Sequence, residues 1–152
     1  MVLATDPETG EQVAKAVTHL WIHHDDLTDL ILDVDADGDG APDRLVTTED
    51  HPFWNATDPA WQGPEDFTTG DEVIDEQWNR ISVVGLDPGT THRDLAYNLT
   101  VEDIHTYHVS TADVLVHNTG CGSGGVEPND LGKAGEDSAG SLRTPRQSTS
   151  KA

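Results

Sequence analysis

Apolar and polar residues alternate along the chain as far as His117, with the period of two that suits half-buried β-strands. Ala14, Ala16, Thr18, Leu20 and Ile22 interleave with Lys15, Val17, His19 and Trp21, and Leu30, Leu32 and Val34 interleave with Asp29, Ile31 and Asp33. His24-Asp25-Asp26 between the two runs predicts a turn. Further strands are predicted over Arg44 to Thr48, Ile81 to Leu86, Leu95 to Val101, Thr106 to Ser110 and Val114 to Val116. Asp87-Pro88-Gly89 is a turn signal, and Gly63 to Gly70 has room for one helical turn. The pattern predicts a compact all-β fold.

Two segments are near copies. Thr47-Thr48-Glu49-Asp50-His51-Pro52 and Thr100-Val101-Glu102-Asp103-Ile104-His105 each end a β-branched run with an acidic pair and then a histidine. Gly70-Asp71-Glu72-Val73 has a first-half counterpart running into Met1-Val2-Leu3-Ala4. Duplicated halves of this kind predict a pseudo-twofold β domain.

Charge places a boundary near Asn118. The chain has a net charge of −21, and Thr119–Ala152 carries four acidic and four basic residues, so the whole net charge falls on residues 1–118. All 8 histidines lie there too. Residues 1–118 are enough to bury one ordinary β core. Residues 119–152 open with Gly and Ser around Cys121 and hold few large apolar side chains, so they read as a linker followed by a disordered tail or the truncated start of an effector region, in which Leu131 to Asp137 could open a helix. A single cysteine excludes an internal disulfide. No apolar run approaches membrane length, and no basic, apolar, cleavable leader is visible at Met1. The acidic balance disfavours binding to nucleic acid or to anionic membranes, and a monomer is expected.

The chemistry converges on the same boundary. His117-Asn118 closes the run Ala112 to Val116, and Thr119 follows at once. An asparagine held at a strand end can attack its own backbone carbonyl through its side-chain amide, close a succinimide and expel the amine of the next residue. With the Thr-x-x-His of Thr48 to His51, the run Tyr97 to Tyr107 and Val114-Leu115-Val116-His117-Asn118, the chain resembles the Hint (hedgehog/intein) domains, specifically those of bacterial polymorphic toxins.

That resemblance implies an intein-like β fold over residues 1–118 that frees a C-terminal effector by cutting after Asn118. It implies that His117 polarises the scissile carbonyl and that His105 gives a proton to the nitrogen of Thr119, with the reaction acting in cis and needing no cofactor. Imidazole titrates near neutral pH, as both tasks require. His51 and Thr48 would act on a peptide bond upstream, before a Cys or Ser nucleophile. The family's nucleophile and first strand precede the segment matched by Val2 to Gly10, so this chain is expected to lack them and full splicing is not expected. Thr119 is then only a leaving amine, and Cys121 an incidental thiol. Asp103 is a candidate to orient His105 or to support a turn. The setting implied is a larger exported toxin, secreted or at the cell surface, with its own delivery machinery.

The remaining motifs are weaker. Asp35, Asp37, Asp39 and Asp43 alternate with Gly and Ala as in calcium loops, but Val46 stands where an EF-hand has its closing bidentate glutamate. The loop reads first as a solvated hairpin tip, with a calcium site as the alternative. His19, His23 and His24 read as turn and surface polarity rather than a metal cluster, and His92 and His108 have no evident partner. The alternative to a processing domain is an inactive β-structured spacer, calcium-stabilised, between a delivery protein and its toxin. A calcium-dependent adhesion module ranks third, resting on the Asp-rich loop alone.

Overall fold

The structure, a computed structural model, describes residues 1–36, 38–117, 125–127 and 130. Ten strands appear among them: β1 (Val2–Thr5), β2 (Gln12–Lys15), β3 (Val17–Leu32), β4 (Asp43–Thr47), β5 (Phe53–Asn55), β6 (Ala60–Gln62), β7 (Glu72–Ile74), β8 (Arg80–Val101), β9 (Thr106–Val109) and β10 (Val114–His117). A 3-10 turn at Pro64–Asp66 supplies the single helical turn expected between Gly63 and Gly70. Among the described residues every named element apart from that turn is a β-strand.

Three sheets are present among the described residues, ordered β1-β2, β6-β5-β10-β9 and β4-β3-β8-β7. All pairings are antiparallel. The two acidic near copies lie at the ends of β4 and β8, and the other pair of similar segments, Met1 to Ala4 and Gly70 to Val73, leads into β1 and β7. Leu30, Leu32, Leu45, Phe53, Val73, Val83, Leu99, Val101, Tyr107, Val114 and Val116 meet in one buried cluster to which every sheet contributes. A smaller cluster, Trp54, Ile74 and Leu115 with Trp61 against it, lies beneath the end of β10.

Two expected turns are absent. His24-Asp25-Asp26 lies within β3, which continues because β8 runs beside it and pairs Asp25 with Asp94 and Asp26 with Arg93. Arg93 Nη1 lies 3.5 Å from Asp26 Oδ1, so the acidic run gains an ion pair where a turn was predicted. Asp87-Pro88-Gly89 lies within β8, making one strand of the two predicted over Ile81 to Leu86 and Leu95 to Val101. Its turn chemistry makes a bulge instead: β3 pairing jumps from Leu27↔His92 to Asp29↔Asp87. Thr90 Oγ1 donates to Asp87 O at 2.7 Å and accepts the Asp29 N–H at 2.9 Å, which satisfies the broken ladder.

Candidate functional site

Strand register brings the histidines together. In the β9/β10 pair His117 lies opposite Thr106, so His105, one residue before β9, is carried to the same end of the sheet. His105 has a positive φ of 64°, as does Asp103 at 65°, and these two left-handed residues turn the chain sharply between β8 and β9. The His105 and His117 rings are 6.3 Å apart between centroids. His105 is exposed and His117 half-buried.

His117 is held from three sides. Its N–H donates to Pro52 O at 3.0 Å, its strand is paired with β5 through Val116↔Phe53, and its ring lies edge-on to Trp61 at 4.9 Å. Trp61 is in turn seated on Trp54, directly opposite it in the β5/β6 ladder, with centroids 5.2 Å apart. Such an aromatic pair contributes about 0.5–1.5 kcal/mol beyond the area it buries. Trp61 is the residue that sequence reasoning missed: two tryptophans in different short strands carry no spacing signal, and only the hairpin register makes them neighbours.

His51 has different chemistry. It is fully buried beside Tyr107 and Phe53, and burial, aided by electrostatic interaction with His117, pushes its pKa down to about 3. It is therefore neutral at any working pH. Tyr107 Oη donates to Asn98 Oδ1 at 2.6 Å, which leaves His51 Nε2, 3.5 Å from that oxygen, as the donor to it. His51 Nδ1 is then an unprotonated acceptor, buried and without a partner among the described residues. Burial also pushes the Tyr107 phenol above its ordinary range.

Thr48, also buried, is engaged from downstream. Its N–H donates to Gly125 O at 2.9 Å and its Oγ1 accepts the Gly125 N–H at 3.0 Å. Thr48 and His51 are thus both buried but differently engaged, Thr48 by Gly125 and His51 by Phe53 and Tyr107, while His105 and His117 meet at the end of the β9/β10 pair. Asn118, Thr119 and Cys121, and the helix start predicted at Leu131, lie outside the described residues.

Other sequence candidates are placed as follows. Asp103 pairs with Lys15 at 2.8 Å, and that hydrogen bond holds its carboxyl below the usual range. The Asp-rich loop joins β3 to β4 at a hairpin tip. Asp35 accepts the N–H groups of Asp39 and Gly40, and Asp39 accepts that of Ala41, so these carboxylates close the loop on its own backbone. Asp43 is buried; its Oδ2 accepts the Ala36 N–H at 3.2 Å, while Oδ1 has no partner among the described residues. Asp37 lies outside them. Among the described residues no three His, Cys, Asp or Glu side chains are grouped to hold a metal. His23 pairs with Asp25 at 3.3 Å and His19 packs on Trp21. The histidines without an evident partner both have one: His92 Nδ1 meets Thr90 O at 2.9 Å, and His108 links Thr5 Oγ1 to Asp113 O.

The fold has known counterparts. The family profile of the pretoxin HINT domain matches residues 1–119. A bacterial intein-like domain from Clostridium thermocellum is 30% identical, with a TM-score of 0.64 over 77% of this chain and 80% of that one. The DnaB intein from Synechocystis shares the fold at 16% identity and TM-score 0.60, over 78% of this chain and 77% of that one. An intein from a hyperthermophile does so at 19% identity and TM-score 0.58, over 77% and 70%. No curated protein matches the chain.

Proposed function

The chain belongs to the pretoxin Hint family of intein-like self-processing domains, and from that premise we propose that it cuts its own backbone after Asn118 and so frees the C-terminal region as the effector of a polymorphic toxin. The observation that supports this reading is the meeting of His105 and His117 at the strand end that leads into Asn118.

The side-chain nitrogen of Asn118 attacks the main-chain carbonyl carbon of the same residue. A carbon–nitrogen bond forms there, the bond to Thr119 breaks, and a succinimide closes. The proton lost by the attacking amide is balanced by one gained at the departing nitrogen, and water later opens the ring. His105, exposed to solvent, supplies the proton; His117, held against Trp61 and Pro52, polarises the carbonyl. Positioning of the amide contributes several kcal/mol, and one well-placed acid about 10²–10⁴ in rate. The reaction runs in cis, in a monomer and without a cofactor, as one step in the life of a larger exported toxin.

Intact mass of the purified chain incubated at neutral pH tests this. The expected products are residues 1–118 ending in succinimide or asparagine and residues 119–152, and Asn118→Ala should give neither. A cut that persists in Asn118→Ala would rule out cyclisation.

A further inference from the structure

The domain binds the segment that follows the proposed cut. Val126 is fully buried and forms antiparallel bridges to Thr47 at the end of β4 and to Tyr97 in β8. Its N–H donates to Tyr97 O at 3.0 Å and its carbonyl accepts the Tyr97 N–H at 2.7 Å. Gly125 exchanges two bonds with Thr48, and the Glu127 N–H donates to Val46 O at 3.1 Å. A little further on, Asp130 Oδ2 accepts the Val46 N–H at 2.6 Å, and its carbonyl accepts the Ser110 N–H at 2.8 Å.

The segment fills the gap between two strand edges, β4 on one side and β8 on the other, a β-augmentation in which main-chain bonds give affinity and a side-chain pocket gives register. β8 uses one side of Tyr97 for Ile22 of β3 and the other for Val126. The fit is close. Gly125 has a φ of +148°, and a Cβ there would lie 2.6 Å from Tyr97 O, so a side chain is excluded both by conformation and by space. The buried Val126 side chain joins the main core cluster beside Leu45, Leu99 and Val101.

None of these contacts passes through the bond between Asn118 and Thr119. We propose that the domain keeps hold of its C-terminal product after the cut, through a noncovalent strand at Gly125 to Glu127 and an anchor at Asp130, so that cleavage and release are separate steps. The retention step rests on the cleavage reading above; the docked strand itself does not.

The two are separated experimentally by working on the full chain with and without the cut. In full-length Asn118→Ala, hydrogen exchange should show the amides of Thr48, Tyr97 and Val126 protected. Gly125→Val and Val126→Asp should each lose that protection while amides in the β3/β8 ladder, such as Leu30, keep theirs. In the native chain after self-cleavage, residues 119–152 should co-elute with residues 1–118 on gel filtration at micromolar concentration, and should separate in both variants. If the native chain does not cut itself, the exchange result still decides whether the strand is docked. Fast exchange at all three amides in Asn118→Ala, or immediate separation of the cleaved native pieces, would overturn the proposal and leave the cleavage reading standing.

Discussion

His117 stands between two rings with different uses, Trp61 at 4.9 Å and His105 at 6.3 Å. If His105 is the proton donor and His117 the polarising group, His105→Ala and His117→Ala should each slow cleavage at least about tenfold, and His24→Ala, on exposed β3, should not. Trp61→Ala should slow it as well by loosening His117, and Trp61→Phe, which keeps a ring edge there, should recover most of the rate; equal rates in Trp61→Ala and the native chain would remove Trp61 from the site. The two histidines proposed for catalysis, His105 and His117, were legible in the sequence because each sits in a motif at a strand end. Trp61 was not, since its role arises from register alone. His51 was legible as a motif residue but its burial was not, and burial makes a separate prediction. Its pKa falls from the ordinary 6.5 to about 3 on folding, so the unfolded chain takes up a proton that the folded one refuses. Its contribution to stability is present above pH 6.5 and is lost as pH falls from there towards 3. Chemical denaturation at a series of pH values should show His51→Gln losing about one proton from the pH dependence in that window. An unchanged slope would mean that His51 is not buried neutral.

Strands were read well where alternation stood alone and poorly where turn chemistry interrupted it. His24-Asp25-Asp26 and Asp87-Pro88-Gly89 both have the composition of turns, and β3 and β8 carry both through because each is the other's ladder partner. Local propensity cannot see a partner strand that lies far away in sequence. The Asp-rich loop between β3 and β4 is the converse case, where composition and structure agree on a hairpin tip. There, backbone N–H groups already meet the carboxylates of Asp35 and Asp39, the work that a cation would otherwise do. Millimolar calcium should therefore raise the melting temperature by less than about 2 °C, well below what a ligand present at a hundred times its dissociation constant gives. A larger shift, specific to calcium over magnesium and lost in Asp43→Asn, would make the buried Asp43 carboxylate, with its unpartnered Oδ1, part of a metal site.

At the scale of the whole molecule, the −21 net charge of residues 1–118 surrounds a tail segment that the sequence presented as linker. Nothing in Gly125-Val126-Glu127 marks it as a strand, because three residues show no periodicity and its partners come from β4 and β8. Docking buries Asp130 within an acidic body. Glu127 in its own segment, Asp29 on β3 and Asp43 on β4 all face it, and Arg44 is occupied by Asp29 and Asp87 at 3.1 Å each. Burial first, then those like charges, raise the Asp130 carboxyl from 3.8 to about 7, against the opposing Val46 N–H. Docking therefore takes up a proton. Its affinity should be highest below about pH 4, fall as pH rises through the interval from 3.8 to about 7, and stay level above it. Each unit of pH inside that interval changes the affinity by up to about tenfold, so the cleaved tail should be held at least about tenfold more tightly at pH 5 than at pH 8. Co-elution of residues 119–152 with residues 1–118 at the two pH values measures this, and Asp130→Asn should abolish the difference. Because that variant keeps His51, any weakening of the fold in acid is common to both chains, and the contrast between them isolates Asp130. Equal retention at pH 5 and pH 8 in the native sequence would show that release of the tail does not depend on its charge.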